Sequence, residues 1–235
     1  MSGNSFRWVV LLFIAVGAGG GLYYHYEVTR PCARAIAYSI GSIDARFEIS
    51  REALIKNTKV ATEIWNKAAG KILFTYDPAA ELTVNLVYDE RQATAQNGRS
   101  IASEQTSLDA ERIAIEDAEA LCRSDRSTCV GLQARVAGYN ARVAAFNATV
   151  KSYNQTVGEP FEGGTYVRDK DGERITVFEF IGMEQLTRVL AHEFGHALGL
   201  GHNSDPAAIM YEKNESGNLT PTLADLSALR TLCGS

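Results

Sequence analysis

Three of the chain's four histidines, His192, His196 and His202, fall in one short stretch, "AHEFGHALGLGHNSDPAAIMY", with Glu193 between the first two. On a helix, His192 and His196 are four residues apart and project from one face, so both imidazoles can reach one ion. Gly199 permits the positive φ that ends a helix sharply, which lets the chain turn and bring His202 back as a third nitrogen ligand. Three neutral histidines suit Zn²⁺ and leave a fourth position for water, the arrangement of a catalytic site rather than a closed structural one. Glu193 sits at the flank of the histidine face, beside the ion without ligating it. The expected chemistry is hydrolysis of a peptide bond by a zinc-activated water, with Glu193 as general base and no covalent enzyme intermediate.

Two other readings compete with this one. His-Glu-x-x-His arises by chance on ordinary helices, but the added spacing to Gly199 and His202 argues against coincidence. A different class of function is a membrane-tethered, metal-stabilised interaction protein with a vestigial site, acting through a helical arm. Glu193 counts against it, because a zinc held only for structure needs no base beside its water.

These side chains require a scaffold. "MEQLTRVLAHEFGHALG" reads as the helix that carries the first two histidines, broken by Gly199 and Gly201. Ahead of it, "AIAYSIG", "KILFTY", "LTVNLVY", "TYVR" and "RITVFEF" read as strands, the last two joined at "DKDG". "SREALIKNTKVATEIWNKAAG" reads as a helix capped by Ser50 and closed at Gly70, with Leu54, Val60, Ile64 and Ala68 expected to pack on the sheet. A last helix is expected from Pro221, with Leu223, Leu226 and Leu229 on one face.

Between the third and fourth strands the pattern changes. Leu132, Val136, Tyr139, Val143, Phe146, Val150, Tyr153 and Val157 follow alternating spacings of four and three, a coiled-coil seam over roughly 39 Å of helix. Ile101, Leu108, Ile115 and Cys122 recur every seventh residue in the preceding segment, so an antiparallel helical hairpin is expected. The weaker alternate positions of its first helix, including Glu111, leave room for a protein partner. A solvated structural arm is the plainer alternative.

Arg7 precedes "WVVLLFIAVGAGGGLYY", an uncharged run of about 17 residues or roughly 26 Å of helix. It reads as a retained signal anchor, with a cleaved signal peptide as the alternative. The zinc site would then face the non-cytoplasmic side of a membrane, or be secreted if cleavage occurs. In an exported chain the four cysteines suggest two disulfides, here read as Cys122–Cys129 and Cys32–Cys233, against buried free thiols. A net charge of −5 and the lack of lysine or arginine runs give no footprint for nucleic acid.

"HEFGHALGLGH" followed by "SDPAAIMY" resembles the metzincin metallopeptidases and, within them, the matrixins. The resemblance implies that His192, His196 and His202 hold zinc and that Glu193 is the base. It also implies that Met210 is the methionine of the turn beneath the metal and Tyr211 the tyrosine that follows it; by themselves both could be packing residues. The implied fold is α+β, a five-stranded mixed sheet with an active-site helix and a C-terminal helix, and "GTYVR" is the candidate edge strand for substrate. The expected organisation is a targeting segment (1–30), peptidase segments (31–89 and 163–235) and the inserted hairpin (90–162). Departures are Asn203 in place of serine or threonine, "EKNESG" in place of the usual proline-containing segment, an incomplete cysteine-switch pattern around Cys32, and no match to structural zinc and calcium loops.

Overall fold

The computed structural model describes residues 31–156, 163–213 and 217–234. The apolar N-terminal run and Val157 lie outside these residues, as does the middle of "EKNESG", residues 214–216. Among the described residues no helix is long and apolar enough to cross a membrane. The chain divides into two compact units. Among the described residues, one unit comprises those up to Val87, Gly164–Val177 and those from Gly182; the other comprises those between Tyr88 and Gly163 with Phe178–Ile181.

The first unit is built on five strands: β1 (Ile36–Ile43), β2 (Phe74–Tyr76), β3 (Leu82–Leu86), β4 (Gly164–Asp169) and β5 (Gly172–Val177). Their order in the sheet is β2-β1-β3-β5-β4. All pairs are parallel except β4 with β5, so the sheet is mixed and β4 is an edge. β2 is shorter than "KILFTY" suggests because the Asn66 side chain accepts from the Leu73 and Phe74 N–H groups and holds the entry to the strand.

Three helices complete this unit: α1 (Arg51–Ala69), α4 (Gly182–Leu198) and α5 (Leu223–Cys233). In α1, Ser50 accepts from the Ala53 N–H as N-cap and Gly70 closes the helix in the left-handed region. The core face of α1 differs from the expected one. Leu54, Thr58, Ala61 and Trp65 are fully buried, whereas Val60 is half exposed and Ile64 and Ala68 are only partly covered. Thr58 can face the core because its hydroxyl donates to the Leu54 carbonyl within the helix. Tyr38 and Phe74 meet Phe194 edge to face at ring separations of 5.1 and 4.8 Å, which joins the sheet to α4. In α5, Leu229 is buried but Leu223 points to solvent; the turn at its start is set by Thr222 and Asp225, which form a reciprocal capping box. Cys32 and Cys233 form a disulfide.

The second unit contains α2 (Glu90–Ser124) and α3 (Leu132–Thr156), joined by a 3₁₀ turn over Arg126–Cys129 and a disulfide between Cys122 and Cys129. Leu108 and Ile115 of α2 are buried. On α3, Leu132, Val136, Tyr139, Val143, Phe146, Val150 and Tyr153 are partly covered, while the residues between them are exposed. Glu104 and Glu111, which occupy apolar positions of the α2 repeat, both pair with Arg142 of α3. The end of "RITVFEF" also belongs here: the Gln92 side chain both donates to the Phe180 carbonyl and accepts from its N–H, which removes Phe180 from strand pairing.

Candidate metal centre

α4 carries the first two histidines because its inner face is apolar almost without interruption. Leu186, Val189, Leu190, Ala191 and Phe194 are completely buried and His192 and Glu193 nearly so. The height of this helix is set from α1, where Trp65 donates its indole N–H to the Ala191 carbonyl at 2.7 Å and Asn57 donates to Met183 O and Thr187 Oγ1. At Gly199, φ is +103°, and the chain leaves the helix there.

The three imidazoles converge. The Nε2 atoms of His192, His196 and His202 form a triangle with sides of 3.1, 3.1 and 3.2 Å. Tetrahedral ligands about 2.0–2.1 Å from a zinc ion would be separated by roughly 3.3–3.4 Å, so the spacing fits one such ion. The opposite ring nitrogens determine the tautomers. His192 Nδ1 lies 2.7 Å from the Ile209 carbonyl and His196 Nδ1 2.9 Å from the Leu200 carbonyl, so each ring donates there and leaves its Nε2 lone pair for a metal. Burial pushes the His192 pKa down to about 4, which keeps the ring neutral as a ligand must be. His196 is half-buried and His202 exposed, so the group opens outward on that side.

Glu193 is held between α4 and β4. A Cβ added to Gly164 would lie only 3.0 Å from both Cγ and Oε1 of Glu193, and the absence of a side chain there leaves the carboxyl its space. Met210 is entirely buried, with its Sδ so close to Gly195 that a Cβ on that glycine would fall 2.2 Å from it. The fourth residue of "HEFGH" thus admits the methionine against the helix that carries His192 and His196. Tyr211 is partly covered, and the backbones of Asn203 and Tyr211 form a parallel bridge that closes the loop between His202 and Met210.

Other residues of the centre carried no signal in the sequence. Asn203, noted only as a departure, donates its side-chain N–H to Asp225 and accepts from the Asp205 N–H. Arg188 is buried on α4 and donates to the Ala208 carbonyl at 2.5 Å. Desolvation lowers its pKa while the Asp225 carboxylate opposes that shift. Only Arg188's place four residues before His192, on the same helix face, would have been a hint.

The family model "Matrixin" matches residues 32–234 of the chain. Among curated proteins, neutrophil collagenase of Homo sapiens is 43% identical over 49 residues, 20% of this chain and 10% of that protein. Matrix metalloproteinase-20 of Homo sapiens is 47% identical over 53 residues, 21% of this chain and 11% of that protein. The matched stretches therefore span about a tenth of the length of these relatives.

Proposed function

Since the chain belongs to the matrixin family, we propose that it is a zinc endopeptidase in which His192, His196 and His202 hold the metal and Glu193 is the general base. The observation that carries this reading is the triangle of three Nε2 atoms, two of them with Nδ1 committed to a carbonyl, next to a buried carboxyl. Bound there, zinc supplies a Lewis acid that makes water acidic near neutral pH and draws charge from a carbonyl oxygen. Glu193 accepts the proton of the attacking water and returns it to the leaving amine. An extended substrate finds its backbone partners on the free side of β4, the sheet edge next to Glu193.

The test is digestion of a peptide library by the purified zinc-loaded protein. Cleavage is expected, and a chelator should abolish it. His196→Ala should lose both zinc and cleavage, because two remaining histidines make a poor site. Undiminished zinc content in that variant would overturn the ligand assignment.

The reading extends to organisation. Segments 31–89 and 163–235 are the peptidase, 90–162 is an insertion, and 1–30 is a signal anchor that places the peptidase on the non-cytoplasmic side. Two formed disulfides support export, since such bonds persist in oxidising compartments. Protease treatment of sealed vesicles is expected to spare a lumenal peptidase unit until detergent is added. These vesicles have the cytoplasmic face of the membrane outward, and digestion in them without detergent would reverse the assignment.

A further inference from the structure

Residues 208–210 form a narrow strip of backbone with a charged or polar side chain on both sides. The peptide group between Ala208 and Ile209 accepts from Arg188 Nη2 on its oxygen and donates its N–H to Asp225 Oδ2 at 2.8 Å. The next peptide group, between Ile209 and Met210, accepts from His192 Nδ1 on its oxygen and donates its N–H to Asp225 Oδ1 at 3.1 Å. Two consecutive peptides are thus each held between one donor on α4 and one oxygen of a single carboxylate on α5. The donors, Arg188 and His192, are one helical turn apart, and the carboxylate is completely buried.

We infer that Asp225 and Arg188 are positioning residues for the metal, acting on the ligand His192 through these two peptide groups. The inference rests on the metallopeptidase reading. A carboxylate that accepts from a peptide N–H polarises that peptide and makes its carbonyl a stronger acceptor, since hydrogen bonds in series reinforce one another where the dielectric is low. The Ile209 carbonyl then holds the Nδ1 proton of His192 more firmly, which fixes the ring's angle and raises the electron density on Nε2. The Arg188 guanidinium compensates the carboxylate's buried charge and anchors the neighbouring peptide, so the strip cannot tilt. In this arrangement a residue 33 positions after His192 tunes how tightly His192 binds zinc.

The experiment measures the zinc dissociation constant of the purified protein by competition with a chromophoric chelator. In Asp225→Asn the single amide oxygen can serve only one of the two peptide N–H groups, and the Kd is expected to rise about tenfold, the lower end of what outer partners of metal ligands contribute. Thr222→Ala is the contrast. It removes the hydroxyl, which caps α5 by accepting from the Asp225 N–H and also donates to Asp225 Oδ2, but leaves the Thr222 N–H on that oxygen and both bonds to the Ile209 and Met210 N–H groups. It should lower the unfolding midpoint and leave the zinc Kd unchanged, which a purely structural role for Asp225 would not separate. Should Asp225→Asn not fold, Arg188→Lys, which keeps the charge but not the fork of donors, decides by a severalfold rise in Kd. A Kd equal to that of the unsubstituted protein in folded Asp225→Asn, or in Arg188→Lys, overturns the inference. Absence of zinc binding by the unsubstituted protein would instead defeat the metallopeptidase reading on which it rests.

Discussion

Glu193→Gln should bind one zinc per chain and cleave peptide about 10²- to 10⁴-fold more slowly than the unsubstituted protein, the usual contribution of a positioned base. The substitution preserves shape, so the tight fit of the side chain against Gly164 and its burial persist. The ligand rings are untouched, with Nδ1 of His192 and His196 still donating to Ile209 and Leu200. Only the ability to accept a proton is lost. Loss of kcat with little change in substrate binding is therefore the expected split, because the missing interaction belongs to the transition state. Cleavage at the unsubstituted rate would mean that some other group takes the proton, and the catalytic assignment would fall. Asp225→Asn should do the reverse, weakening metal binding while saturating zinc restores most of the rate.

Replacing Cys32 and Cys233 together with serine should cost stability on the order of 5 kcal/mol, the second large effect. The bridge spans 201 residues, and on the chain-entropy model a closed loop of that size restricts the unfolded chain by about 5 kcal/mol, against about 2–3 kcal/mol for the short loop at Cys122–Cys129. Whole domains are stable by roughly 5–15 kcal/mol, so the long bridge is a large share of the total. Urea unfolding of the double variant should show a markedly lower midpoint with a steeper dependence on urea, since the freed chain exposes more surface. Equal midpoints would show that the unbridged chain is already compact, and the entropic account would be wrong.

The convergence of the three histidines was legible because its logic is local: four residues along one helix, a glycine where the helix must stop, and a third histidine just beyond. The cysteine pairs were legible for a similar reason, one pair being adjacent in sequence and the other the remainder. Asp225 was invisible because its partners are backbone N–H groups 15 and 16 residues away, and any sequence supplies such groups. The core face of α1 was misjudged by giving weight to Val60, Ile64 and Ala68. Leu54, Thr58, Ala61 and Trp65 follow the spacing of four, three and four that marks a buried stripe. The threonine obscures that stripe in a hydropathy reading, although its hydroxyl is satisfied within its own helix turn. Strand ends were blurred where a side chain substitutes for a strand partner, as Asn66 does before β2 and Gln92 at Phe180.

On the peptidase reading proposed above, the Cys32–Cys233 bridge has one further consequence where copies of the chain meet. A single cut anywhere between these cysteines produces two polypeptides that remain one covalent molecule, with the α-carbons at the junction 5.3 Å apart. Autolysis in a surface loop would leave the mass unchanged on a non-reducing gel and become visible only after a thiol is added. A nicked molecule whose ligand helix and sheet are intact would carry its history of self-digestion without dispersing into fragments.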